Sequence, residues 1–241
     1  EWWWYTLCQY ELATTSLEKQ IRSSFKRVTL FSSRRERKAV AFQILSGLKY
    51  MHEILGVVHR NIQPSCILCF TGNPSTRYKL CDFRNVAPIG SERPRLMESG
   101  LLPYQPPELV QIEQNQSLNC TVSVSHDLWA LGAVLNELLG GFVMIPADSV
   151  SRYAQLYSEL KMLPPRSGKD PLKRGTYRVP YGASRSYGEA DFFSTMLNDD
   201  VGSRPPDARA ALALSWLNQV APQAPVSPLS PNDNKIADAI K

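Results

Sequence analysis

A chain of 241 residues that is 43% hydrophobic, 10% aromatic and 20% charged can bury one large core or two small ones, which excludes wholesale disorder and a collagen-like fold. The net charge of +5 is a mild excess that a solvated surface explains, so neither nucleic acid nor a lipid surface is assigned as a partner. Five cysteines (Cys8, Cys66, Cys69, Cys81, Cys120) are odd in number and sparse, which argues against a disulfide framework and for a reducing, cytoplasmic compartment.

Residues 2–8 are aromatic and β-prone (Trp2, Trp3, Trp4, Tyr5, Thr6, Leu7, Cys8) and read as the interior of a strand whose sheet lies upstream. With no initiator Met and no leader, the chain is expected to be part of something longer. Ser16 caps a short helix over 16–21, and 34–55 is a long helix with Ala41, Ile44, Leu45, Leu48 and Met51 at helical spacing, ended by Gly56. The basic residues Arg34, Arg35, Arg37 and Lys38, with Arg22, Lys26 and Arg27 before them, are expected on a solvated helix face.

Short apolar runs follow at 57–58, 67–70 and 78–81, the last two joined as a hairpin through Gly72, Asn73 and Pro74. Prolines 88, 94, 103, 106 and 107 forbid any long regular element over 84–107. Residues 124–139 are apolar almost all round (Leu128, Trp129, Leu131, Val134, Leu135, Leu138), as in a helix through the middle of a core. The long apolar window 128–147 holds Asn136 and Glu137 at its centre, groups costly in lipid, so no transmembrane span is assigned. Helical stretches mixed with Pro164, Pro165, Gly168 and Gly175 make 141–187 an irregular insertion; helices at 188–198 and 206–220 and a Pro-rich linker at 221–241 complete the chain.

Five motifs occur in order. His59-Arg60-Asn61-Ile62-Gln63-Pro64-Ser65-Cys66-Ile67-Leu68 resembles the protein-kinase catalytic loop H-R-D-L-K-P-x-N-I-L. Asp82-Phe83-Arg84 matches D-F-G at two positions, and 100–108 (Gly-Leu-Leu-Pro-Tyr-Gln-Pro-Pro-Glu) resembles the end of the activation segment. Asp127-Leu128-Trp129-Ala130-Leu131-Gly132 is similar to the family's D-x-W-x-x-G helix, and 199–205 to its late D-P-x-x-R-P turn.

The resemblance implies an α+β, protein-kinase-like fold over 2–220: the mainly helical large lobe with short β-hairpins, the small β-rich lobe largely absent. Residues 2–11 would be the last small-lobe strand and the hinge, with Cys8 as gatekeeper, Gln9, Tyr10 and Glu11 against adenine, and Leu68 beneath it. His59 and Phe83 would stack in the regulatory spine. Asp127 would accept from the loop backbone at His59 and Arg60, and Glu108 and Arg204 would form a buried ion pair.

The chemical positions are altered. Where the resemblance implies a proton-accepting aspartate stands Asn61, an amide without basicity, and where it implies a lysine stands Gln63, without charge. Asp82 keeps the metal-binding carboxylate, but the second metal position is Cys66, a soft ligand poorly suited to Mg²⁺, and the flexible glycine is Arg84, a cation able to pair with Asp82. One such change costs roughly 10² to 10⁴ in rate. ATP and Mg²⁺ are thus implied by the family while the residues argue against them, and the expectation is a pseudokinase acting as a scaffold or allosteric module with protein partners. The alternative left open by Asp82 is a divergent serine/threonine protein kinase with weak ATP-dependent phosphotransfer; a third reading is a fragment without a stable fold of its own.

The C-x-x-C spacing of Cys66 and Cys69 lacks a second pair and would place its thiols on opposite faces of a strand, so it is not read as a metal or redox site. His52 and His126 are read as structural, and no regulatory phosphorylation is assigned to Ser91, Ser99 or Tyr104.

Overall fold

The computed structural model describes residues 11–24, 34–72, 75–94, 100–111, 119–140, 143–162 and 187–218. The strand read at 2–8, the positions Cys8, Gln9 and Tyr10 and the linker at 221–241 lie outside the described residues.

Strand β1 (Thr15–Ser16) runs straight into helix α1 (Leu17–Ser24), whose first turn is capped by Ser16: its Oγ accepts from the Lys19 N–H at 3.3 Å. Helix α2 (Arg34–Tyr50) buries Val40, Ala41, Ile44, Leu45 and Leu48 along one stripe. Its pattern continues to residue 55, but the last turn, Met51–Leu55, widens to π geometry before Gly56, at φ 68°, ends it with its N–H on the Met51 carbonyl.

Among the described residues all the strand pairs are antiparallel. In the first sheet the order is β1, then β3 (Ile67–Phe70), then β4 (Arg77–Leu80); β2 (Val57–Val58) pairs with β5 (Ala87–Pro88), and β6 (Glu92–Pro94) with β7 (Asn119–Thr121). The short helix α3 (Pro107–Gln111) precedes β7.

Helix α4 (Val124–Gly140) passes through the core, burying residues on all sides, among them Leu128, Trp129, Leu131, Val134 and Leu135. It touches the chain just after α6 (Tyr187–Met196) so closely that a Cβ on Gly132 would lie 2.9 Å from Leu197 Cδ2. Phe192, Phe193 and Trp216 close this end of the core, the Phe192 and Trp216 ring centroids 4.7 Å apart.

Three expectations are modified. Arg37 and Lys38 are not on a solvated face: both are buried, and Arg37 Nε donates to Glu189 Oε1 on α6 at 3.2 Å. From the stretch 141–187, Met144, Ile145, Ala147 and, on α5 (Val150–Met162), Tyr153 and Tyr157 belong to the main core, while 163–186 lie outside the described residues. Of the described residues 206–218 only α7 (Ala208–Leu212) is regular helix; Asp207 caps it, accepting from the Ala210 N–H at 2.7 Å, and turns carry the chain to residue 218. Among the described residues no helix is long and apolar enough to cross a membrane.

Candidate functional site

The loop from His59 to Cys66 lies between β2 and β3, and the turn from Cys81 to Asn85 follows β4. The β3–β4 hairpin therefore brings the two segments side by side, and Cys81 N–H donates to the Cys66 carbonyl at 2.9 Å.

Asp127, in the first turn of α4, anchors the loop from beneath. Its Oδ2 accepts from the His59 N–H at 2.8 Å and its Oδ1 from the Arg60 N–H at 2.9 Å, while His52 Nε2 lies 2.9 Å from Oδ2. Burial works to raise this carboxyl, but the His52 hydrogen bond, the neighbouring histidines and the His59 N–H together hold it below the ordinary value. The anchor is needed because Arg60 sits at φ 64°, in the left-handed region that costs a side-chain-bearing residue roughly 1 to 2 kcal/mol. Asp82, at φ 65°, is the second such position among the described residues.

His59 Nε2 reaches the Cys81 carbonyl at 3.1 Å, and its ring meets Phe83 edge-on with centroids 5.3 Å apart. Phe83 is otherwise 50% exposed.

The Asp82 carboxylate is surrounded by donors. Arg84 Nε donates to Oδ1 at 2.6 Å and Arg84 Nη2 to Oδ2 at 2.9 Å; Asn61 Nδ2 donates to Oδ2 at 2.8 Å and the Cys66 thiol lies 3.9 Å from it. Behind Asn61, Gln63 Nε2 donates to the Asn61 Oδ1 at 3.1 Å. Arg84 is the largest influence holding the Asp82 carboxyl below its usual range, against a smaller opposing effect of burial. Burial pushes the Cys66 thiol up to about 11, with the charge of Asp82 adding to the rise.

As arranged, the Asp82 carboxylate is poorly fitted to a divalent cation. A divalent cation needs carboxylate lone pairs and hard oxygen ligands, whereas the Asp82 oxygens are taken by a guanidinium and an amide, and the neighbouring ligand position holds a protonated thiol. Among the described residues no group of three His, Cys, Asp or Glu side chains is arranged to hold a metal. Asn61 is equally unsuited to accept a proton, since its amide oxygen takes the Gln63 hydrogen bond and its nitrogen is a donor.

The other candidate positions are dispersed around this centre. Leu68 is half-buried on β3, opposite Ser16 on one side and Lys79 on the other. Glu11 accepts from Arg77 Nη2 at 3.1 Å and from Lys79, pairings that keep its carboxyl below the ordinary value, Lys79 first. Glu108, on α3, and Arg204 form an ion pair across the fold. His126 flanks a small cavity lined also by Arg60, Tyr104, Gln105, Cys120 and Asp127.

Two relationships escaped sequence reasoning. His52 is a direct partner of Asp127, and Cys66 is joined through its carbonyl to the Cys81 N–H. The signal for the second lies in the hairpin register: Ile67 opposes Leu80, and positions 66 and 81 are the next beyond them. Cys66 itself ends a 3₁₀ turn over Pro64–Cys66, so the face argument made for a strand does not apply to it.

A family model described as a protein kinase domain matches residues 5–217. The chain belongs to the protein kinase family. Its fold is the protein kinase fold, and the ordered motifs of the sequence are those of this family. The dual specificity mitogen-activated protein kinase kinase sek-1 of Caenorhabditis elegans is 29% identical over 165 residues, which cover 68% of this chain and 46% of the relative. The chain thus spans about half the length of the curated relative it matches.

Proposed function

We propose that this kinase-family chain is a pseudokinase: it does not transfer phosphate and works as a scaffold or allosteric module through contacts with protein partners. The observation that carries the reading is the two-point contact of Arg84 with Asp82, which puts a guanidinium charge where the family's pattern has a metal ion. Asn61 in the base position, tied up between Gln63 and Asp82, supports it further. The catalytic loss expected from removing base, lysine and metal ligand together exceeds the roughly 10² to 10⁴ of a single change. In the same reading the described helices and small sheets are the large lobe, residues 2–11 supply its last small-lobe strand and hinge, and 221–241 is a linker in a cytoplasmic protein.

The test is transfer of the γ-phosphate from Mg-ATP or Mn-ATP to protein substrates by the full-length protein, beside its Asp82→Ala variant. Equal background in both supports the proposal. Incorporation by the parent that disappears in Asp82→Ala overturns it and establishes the second reading, a divergent serine/threonine protein kinase, which the surviving ionised Asp82 and the relative's name favour.

A further inference from the structure

We propose that Cys66 and Cys81 form a reversible disulfide across the base of the β3–β4 hairpin, made by thiol exchange with a small-molecule disulfide such as oxidised glutathione. The proposal holds whether or not the chain transfers phosphate.

The geometry comes from the ladder. Its register runs Phe70 to Arg77, Cys69 to Tyr78, Leu68 to Lys79 and Ile67 to Leu80, and Cys66 and Cys81 are the residues next beyond its end. The Cys81 N–H donates to the Cys66 carbonyl at 2.9 Å, while the Cys66 N–H turns to the Gln63 carbonyl. Cys66 ends the 3₁₀ turn, so its one bond from Cys81, not strand alternation, brings the two residues together; backbones joined by such a bond hold their Cα atoms about 5.5 Å apart, near the preferred separation of a disulfide.

Both sulfurs are free thiols, and neither is strongly engaged: Cys66 Sγ is 3.9 Å from Asp82 Oδ2 and Cys81 Sγ is 3.9 Å from the Ser65 carbonyl. Contacts that long are weak, so a bond between the sulfurs sacrifices little. Cys69 is no competitor. It lies on β3 inside the core, where its sulfur accepts from Gln20 Nε2 at 3.1 Å.

Exposure sets the order of events. Cys81 is half-buried and reached first, whereas Cys66 is 3% exposed and acts as the resolving thiol. The Cys81 thiolate attacks one sulfur of glutathione disulfide; that S–S bond breaks and one glutathione leaves as a thiolate. The Cys66 thiolate then attacks the Cys81 sulfur of the mixed disulfide and expels the second glutathione. Two protein thiols are oxidised, one glutathione disulfide is reduced to two thiols, and the two cysteine protons end on the glutathiones. Because Cys66 is sheltered, exchange proceeds over minutes to hours. The product ties the loop bearing Asn61 and Gln63 to the residue preceding Asp82 and withdraws the Cys66 S–H from that carboxylate.

The experiment treats the native full-length protein with millimolar glutathione disulfide, blocks remaining thiols with iodoacetamide, and maps tryptic peptides by mass spectrometry. Cleavage after Arg60, Arg77, Lys79 and Arg84 separates 61–77, which carries Cys66 and Cys69, from 80–84, which carries Cys81. The expected product is a 61–77 to 80–84 cross-link that fragments to Cys66, persists in Cys69→Ser and is reversed by dithiothreitol. The linked form should melt about 3 to 10 °C above the reduced one. A link mapping to Cys69, Cys81 recovered only as its glutathione or iodoacetamide adduct, or a linked form that melts no higher than the reduced one overturns the proposal. The mapping is decisive on the parent protein alone, so it does not depend on Cys69→Ser folding.

Discussion

The Arg204 guanidinium holds the Glu108 carboxylate by two parallel hydrogen bonds, Nη1 to Oε1 at 2.6 Å and Nη2 to Oε2 at 2.8 Å, across a sequence separation of 96 residues. The arginine side chain is 0% exposed, its Nε donates to the Asn198 carbonyl at 2.7 Å, and its Cζ lies 4.7 Å from the Trp129 ring centroid. Removing the carboxylate leaves a buried cation with a single carbonyl to answer it. Glu108→Ala is therefore expected to lose about 3 kcal/mol of stability in urea titrations, a melting point lower by roughly 6 to 12 °C. A loss below about 1 kcal/mol would mean that water reaches the stranded guanidinium.

Asp127 holds the catalytic-loop backbone and His52 at once, so Asp127→Asn, which turns half of an acceptor pair into a donor, is expected to cost about 2 to 4 kcal/mol. The sign of its pH dependence follows from the lowered folded value. The contribution is complete above the ordinary value of 3.8 and is lost as pH falls through the lower folded value. Urea melts of parent and variant across this range should converge only on the acid side; a constant gap would show that charge is not what Asp127 supplies.

Gly132 has no room for a side chain, since a Cβ there would lie 2.9 Å from Leu197 Cδ2 and 3.2 Å from Met196 Cβ. Overpacking of about 1 to 3 kcal/mol outweighs the helix propensity gained, about 1 kcal/mol. Gly132→Ala should lower the urea midpoint, and a raised midpoint would show that the α4 contact yields.

Arg84 is the residue to remove in order to reopen the Asp82 site. In the Arg84→Gly variant the carboxyl should move up toward its ordinary range, and Arg84→Gly combined with Cys66→Asn should gain a thermal shift with millimolar Mn²⁺ that the parent lacks. A shift of the parent of the same size would sink the view that Arg84 takes the cation's place.

Much of the local architecture was legible. The 3.6-residue spacing of α2 and α4, the Gly56 stop and the Gly72 turn signal predicted elements that the structure contains, because each rests on neighbouring residues. The basic residues of α2 misled for the complementary reason: a charge is solvated or buried according to what packs on it, and Glu189, brought by α6, draws Arg37 inside. The stretch 141–187 reads in sequence as an irregular insertion with a helix at 149–162; the helix is there as α5, but prolines and glycines speak only of backbone regularity, and nothing in them tells that Tyr153 and Tyr157 enter the core.

At the candidate site the division is the same. Sequence by itself determined which chemical groups stand in the loop: an amide at 61 and at 63, a thiol at 66, a carboxylate at 82 and a guanidinium at 84. It also carried the motif order that places the chain in the protein kinase family. The Arg84 pairing with Asp82 was already open to the sequence, two residues apart; only the tertiary structure brought Asn61 onto Asp82 and the Cys81 N–H onto the Cys66 carbonyl. Residue identity and near neighbours set which bonds a side chain is able to make, whereas a partner such as Asn61 for Asp82, 21 residues away, arrives from another segment at a distance that folding alone sets.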